Sequence, residues 1–329
     1  MVTFAKMRES TSTQTAFYDK RYREGYMESW DTGKIRKVRE LLHMLALPAA
    51  GKALDFGSGN GVFTRVIKDT LPGWEVSGCE ISPTALRNAA EKNPDCSFFG
   101  FEEAEKHHGS FDLIFSHHVI EHVDDLPGTF RQLDAFSSPS ATHLHILPCG
   151  NAGSYEYDLT QMMRNGIEHD REDRFYFEEP GHLRRLREET FTRHLSAYGF
   201  KLAARLFSNQ YWGAVNWITK SSPRFVKKLT DTRQAVDAAA AGRLAKARRL
   251  LLPLTWLQFP KLKYDAAKNR WHKGVKDHLQ VSVLFIPALI SSPLWHWLER
   301  KSDREWDEKK MEPNGSEMFL VYKRASQPE

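Results

Sequence analysis

A chain of 329 residues with 41% hydrophobic and 27% charged residues can bury one large core or two, and its composition excludes fibrous, low-complexity and disordered classes. Its three cysteines, Cys79, Cys96 and Cys149, fit neither a disulfide framework nor a zinc site, and residues 1–15 hold no apolar signal segment, so reduced thiols in a cytoplasmic protein are expected. The net charge of +5 hides an asymmetry: residues 219–311 carry 20 Lys+Arg against 9 Asp+Glu, while residues 1–218 carry 25 against 30, which points to an anionic partner or to a solvated basic helical surface.

In chain order, residues 1–15 read as a loose arm. An aromatic cluster follows (Phe17, Tyr18, Tyr22, Tyr26, Trp30), which either packs on the next helix or covers a ligand as a lid. Ile35, Val38, Leu41, Leu42 and Leu45 recur at helical spacing and predict a helix over 34–47, stopped by Pro48. Residues 53–56 form a first strand that runs into Gly57-Ser58-Gly59-Asn60-Gly61 and a helix over 61–69. A second strand covers 75–79. Ser82 is a natural N-cap with Pro83 behind it, so a helix runs to Lys92. A third strand is read over 97–101, a fourth over 111–116, a helix over 126–136 and a fifth strand over 143–147. Strands alternating with helices in this way predict βαβ units and a doubly wound, mostly parallel sheet.

The stretch 150–180 is polar and irregular, the kind of long connection that carries function. A helix over 188–198, ended by Gly199, precedes a sixth strand over 200–207. The basic region then contains a helical run over 232–251 and two apolar pieces, 251–259 and 279–298. The second is interrupted by Pro287 and Pro293, so an amphipathic helical pair or interfacial element is expected rather than a membrane span. A last strand covers 317–324. The expected organisation is an N-terminal arm and aromatic lid (1–33), a core (34–218), a basic helical insertion (219–311) and the last strand with its tail (312–329).

The glycine turn is a small-molecule cradle at the carboxyl end of the first strand. Its spacing, Asp55-x-Gly57-x-Gly59-x-Gly61, departs from the dinucleotide pattern G-x-G-x-x-G. Glu80, nineteen residues after Gly61 at the tip of the second strand, can accept both hydroxyls of a ribose. Glu102, beyond the third strand, falls where an adenine amino group would lie, and Asp112 reads as structural. These features, with Phe111-Asp112-Leu113-Ile114, Val119-Ile120-Glu121-His122-Val123 and Gly181-His182-Leu183-Arg184, resemble the class I S-adenosylmethionine-dependent methyltransferases. The resemblance covers about 51–207 plus the terminal strand. It implies a seven-stranded Rossmann-like α/β sheet whose sixth and seventh strands are an antiparallel pair, with the basic stretch inserted between them. It further implies S-adenosyl-L-methionine as cofactor, held by Asp55, Gly57, Gly59, Gly61, Glu80 with Ile81, Phe101, Glu102, Ser116 and His117.

Transfer of a methyl group to oxygen needs alignment and a proton acceptor, for which histidine is suited near neutral pH. His182 is the first candidate base, followed by His118 and His122, each balanced against a purely structural role. No metal-binding pattern is read. Cys149 follows Pro148 as in RNA cytosine-5 methyltransferases, but their second Pro-Cys is replaced by Ser116-His117-His118, so nucleic acid is not the expected acceptor. The expected activity is O-methylation of a small molecule, sugar or lipid-linked acceptor, with 219–311 as a cap or as a contact with an anionic membrane. The rival readings are a non-catalytic cofactor-binding or partner-binding scaffold, and an RNA methyltransferase.

Overall fold

The computed structural model describes residues 14–27, 30–179, 181–269 and 274–325. The loose arm expected over 1–15 therefore lies almost wholly outside the described residues. Helix α1 covers 14–23. Helix α2 (Thr32–Met44) starts where Asp31 accepts a hydrogen bond from the Gly33 N–H at 2.8 Å, and it buries Val38, Leu41 and Leu42. Strand β1 (Lys52–Phe56) leads through the glycine turn into α3 (Val62–Thr70), and β2 (Glu75–Cys79) leads into α4 (Pro83–Lys92). The Ser82 hydroxyl caps α4 by accepting from the Ala85 N–H at 3.2 Å.

Strand β3 is shorter than expected, Ser97–Phe99, because the chain turns at Gly100 into a 3-10 helix, Phe101–His107. Phe101 thus sits on that helix rather than in the strand, and Glu102 lies beyond the strand as expected. Strand β4 (Phe111–His117), a 3-10 turn (Ile120–His122) and α5 (Leu126–Phe136) follow. Strand β5 (Ser137–Pro148) begins earlier than its apolar run suggested, with a register shift opposite Phe111 and Leu113. Asp112 is structural: it accepts from the Lys52 N–H at 3.0 Å and the Ser138 hydroxyl at 2.8 Å.

The long connection is built rather than irregular. It holds α6 (Tyr155–Gln161) and a small antiparallel pair, β6 (Ile167–Glu168) and β7 (Arg174–Phe175). After α7 (Glu188–Ser196) and β8 (Phe200–Ser208) come α8 (Trp212–Thr219), α9 (Pro223–Leu229), and two long helices, α10 (Ala238–Asn269) and α11 (Val275–Lys309). Helix α11 runs through Pro287 and Pro293, so the interruption expected there is absent, and α10 likewise runs through Pro253 and Pro260. Strand β9 (Glu317–Arg324) ends the described fold.

The seven main strands form one sheet in the order β3-β2-β1-β4-β5-β9-β8. Strands β1 to β5 pair in parallel. The Ala325 N–H donates to the Gly199 carbonyl at 2.9 Å, at the start of β8 and the end of β9, as an antiparallel pair requires. The chain divides into one unit of Met1–Pro148, Glu188–Arg205 and Phe319–Glu329, and another of Cys149–Arg187 and Leu206–Met318. In the first, β1, β4 and β5 carry near-continuous buried residues, as strands covered on two faces do. In the second, Leu159, Met163, Ala214, Val215, Ile218 and Leu244 are among the side chains of a separate core.

Candidate functional site

The first unit holds Asp55 and the glycine turn at the carboxyl end of β1, Glu80 and Ile81 past β2, Phe101 and Glu102 past β3, and Ser116 and His117 at the end of β4. Gly57, Gly59 and Gly61 all have positive φ, 76°, 52° and 76°, so the turn is closed to ordinary side chains on conformational grounds. The Glu80 carboxylate is buried and accepts three backbone hydrogen bonds, from Gly59 N–H at 3.0 Å, Ile81 N–H at 2.8 Å and Ser82 N–H at 3.0 Å. Those bonds hold an acid whose pKa burial pushes up. Ile81 contributes through its backbone.

Over this turn lies the aromatic segment. A Cβ placed on Gly59 would come 2.7 Å from the Tyr22 hydroxyl, so the phenol rests directly on the glycine. Burial first, then the Glu80 charge, raises the pKa of Tyr22. Helix α1 is fastened there by Asp19, which accepts from the Ser82 hydroxyl at 3.0 Å and the Thr84 N–H at 2.9 Å and so adds a second acid at the α4 N-terminus. Hydrogen bonding to Thr84, followed by its backbone and by Ser82, lowers the Asp19 carboxyl to about 2. The role of Asp19 was invisible in the sequence because its partners lie more than sixty positions away.

Asp55 sits at the floor, buried, with its carboxylate accepting from the Thr64 hydroxyl at 2.6 Å. Burial raises its pKa to about 7 against that hydrogen bond. Phe101 packs edge-on to Phe56 with centroids 5.4 Å apart. Glu102 is exposed, and its carboxylate folds back over Gly100. Ser116 departs from the expected lining role. Its hydroxyl is buried and hydrogen-bonded to His145 Nδ1 at 2.7 Å, so it is committed to the interior. His117 is also buried, stacked on Phe63 at 4.1 Å with the Trp30 ring 4.5 Å away.

His118 is held in left-handed backbone, φ 53°, which swings its ring off the strand path. Its Nδ1 lies 3.0 Å from the buried Glu121 carboxylate and its Nε2 lies 3.4 Å from Lys34 Nζ. The Glu121 contact is an ion-pair distance, and because the Lys34 ammonium can only donate, Nε2 is the acceptor nitrogen. His122 Nε2 is 3.9 Å from the same carboxylate, and its ring meets Tyr18 edge-on at 5.9 Å. Glu121 thus stands closer to His118 than to its sequence neighbour His122.

His182 belongs to the second unit. Its carbonyl accepts from Arg174 Nε at 2.7 Å and its Nδ1 stands 3.8 Å from Glu178. The same loop is locked by buried Arg185, which donates to Glu156 at 2.6 Å and to Glu178 at 2.9 Å. Cys149 is buried within this unit, its sulfur accepting from the Asn151 N–H at 3.3 Å, a packed thiol rather than an exposed nucleophile.

The donor set fits S-adenosyl-L-methionine. A buried acid at the tip of β2 suits two ribose hydroxyls, and a glycine turn that excludes side chains admits close approach. A methyltransferase-domain family model matches residues 27–204. The chain is 29% identical over 150 residues to phosphoethanolamine N-methyltransferase 1 of Triticum aestivum, covering 44% of this chain and 29% of that protein. It is 30% identical over 108 residues to the malonyl-[acyl-carrier protein] O-methyltransferase of Acetivibrio thermocellus, covering 30% of this chain and 38% of that one. The matches thus span well under half the length of these curated relatives. A crystal structure of a putative sarcosine dimethylglycine methyltransferase from Galdieria sulphuraria aligns over 90% of this chain and 86% of its own at 14% identity and a TM-score of 0.44. With more than half of its residues under the family model, this chain belongs to the S-adenosyl-L-methionine-dependent methyltransferases.

Proposed function

We propose that the protein methylates an oxygen of a small molecule, a sugar or a lipid-linked acceptor, with a contact between 219–311 and an anionic membrane surface. S-adenosyl-L-methionine, when bound, supplies a methyl group carried on a sulfonium. Glu80 and the glycine turn hold the ribose part, Tyr22 covers it, and Asp55 places a titratable acid beneath the turn. His118 is the base that takes the acceptor's proton at Nε2 when the acceptor displaces the Lys34 ammonium from that nitrogen, while Glu121, 3.0 Å from Nδ1, balances the charge that forms. His122 and His182 are the alternative bases. The observation that carries this reading is the His118–Glu121 contact of 3.0 Å within the unit that holds Glu80.

The test is formation of S-adenosylhomocysteine from labelled cofactor with panels of hydroxylated small molecules, sugars and polyprenyl-linked sugars. His118→Ala is expected to lower turnover by about 10²–10⁴-fold while leaving cofactor affinity unchanged. If His182→Ala does this and His118→Ala does not, the base is His182. Cofactor binding without turnover on any acceptor class would favour the non-catalytic scaffold. Amines belong in the panel, because one relative is named as an N-methyltransferase.

A further inference from the structure

Helix α11 is apolar on the outside. From Leu279 to Leu298 it contains no Asp, Glu, Lys or Arg. Its exposed positions in this stretch include Leu279, Val283, Ile286 and Ile290, spaced four, three and four apart, with Phe285 and Leu289 beside them. Ile286 is 66% exposed and Ile290 75%. The residues it buries between 275 and 293 are Ala288 and Ser291, smaller and more polar than those it shows. Helix α10 adds Trp256 and Leu257, 56% and 57% exposed, while burying Thr255 and Gln258. This is the reverse of a water-facing helix pair. Isolated apolar side chains are ordinary on a surface, but a contiguous face of this kind marks a contact site.

The charge around the face identifies the partner. Every exposed charged residue described between 238 and 300 is cationic, Arg243, Lys246 and Arg249 before the apolar part of α10, Lys263, Lys268 and Lys276 beyond it, and Arg300 on α11, while the acids Asp265, Asp277 and Glu299 are half-buried. A second copy presenting the same face would bring like charges together. An anionic phospholipid surface would instead meet the cations with headgroups and the apolar face with acyl chains. Helix α11 is long and apolar enough to cross a bilayer. However, α10 packs along it and carries Lys261, Lys263, Asp265 and Lys268, charges that are costly to bury at bilayer depth.

We propose that the outward face of the α10–α11 pair lies in the plane of an anionic bilayer, seated by Leu279, Val283, Ile286, Ile290, Trp256 and Leu257. This rests on the membrane contact proposed above and not on methyl transfer. The experiment floats the full-length protein with vesicles of phosphatidylcholine alone or mixed with phosphatidylglycerol. Wild type is expected to float with the mixed vesicles and to be lost from them as salt rises. I286D/I290D is expected to stay at the bottom with an unchanged melting temperature and unchanged S-adenosylmethionine titration, and K263E/K268E to float weakly. Trp256 fluorescence is expected to be quenched by lipids brominated near the headgroup more than by lipids brominated near the chain end.

Failure of wild type to float, or flotation of I286D/I290D equal to wild type, would overturn the proposal. So would light scattering that shows a dimer converted to monomer by I286D/I290D, since the face would then be covered by a second copy. Quenching strongest from the chain ends would mean that α11 spans. Loss of cofactor titration with flotation intact would defeat the methyltransferase reading and leave this one standing.

Discussion

Two buried carboxylates do the same chemistry in different places. Glu80, at the tip of β2, accepts from the N–H groups of Gly59, Ile81 and Ser82. Glu305, on α11, accepts from those of Tyr211, Trp212 and Gly213 at 2.9–3.0 Å, closing the start of α8, which has no cap from its own neighbours. Glu305 is spent on structure, since its donors are the orphan N–H groups of a helix. Glu80 stands on a glycine turn under a tyrosine hydroxyl, where a ligand hydroxyl group can join. A carboxylate with three backbone donors is therefore not by itself a binding site, and what borders it decides its role.

That contrast can be broken by substitution. The largest stability effects are expected from Glu305→Ala and Glu80→Ala, each about 3 kcal/mol by urea unfolding, because each leaves buried N–H groups without an acceptor. Only Glu80→Ala should also abolish the rise in melting temperature on adding S-adenosylmethionine. Loss of that rise in Glu305→Ala would mean that the two acids share one function.

Acid sensitivity sharpens the picture of the first unit. Ser137, His143, His145 and Ser116 form a buried chain of hydrogen bonds, 2.8, 3.1 and 2.7 Å, between β4 and β5. Burial lowers the pKa of His145 to about 3 and that of His143 well below its ordinary value. Both are neutral in the fold and take protons when unfolded, so their stabilisation is complete above about pH 6.5 and is lost as pH falls, by about 1.4 kcal/mol per pH unit for each histidine. Urea unfolding at pH 7.5 and 5.0 should show this slope, reduced by His145→Gln; a flat profile would contradict it.

A smaller effect concerns Asp55. Its folded pKa of about 7 lies above the ordinary 3.8, so its contribution to stability is present below that ordinary value and is lost as pH rises through 7. A cationic ligand favours the ionised form, so cofactor affinity is expected to rise a few-fold between pH 6 and 8. Asp55→Asn should flatten that rise, which isothermal titration at the two pH values would show.

The order of strands and helices through β5, the Ser82 cap and the place of Glu80 at the tip of β2 were readable from residues because each depends on near neighbours: a period, a cap within three positions, an acid just past a strand. Features that need distant partners were not. Asp19 meets Ser82 and Thr84 across more than sixty residues, Glu305 meets α8 across more than ninety, and Arg185 joins Glu156 and Glu178 inside a stretch that looked irregular. Pro287 and Pro293 of α11 misled for a different reason. They argue for breaks locally, yet the helix pair holds both rods together along their length.

The most direct measurement is calorimetric titration of S-adenosylmethionine into the intact chain and into Glu80→Gln and Glu305→Gln. Wild type and Glu305→Gln are expected to bind alike, and Glu80→Gln about 10–100-fold more weakly, the worth of one hydrogen bond to a charged acceptor. No binding by the intact chain, or equal affinity in Glu80→Gln, would contradict the assignment of the β2 tip as the cofactor site.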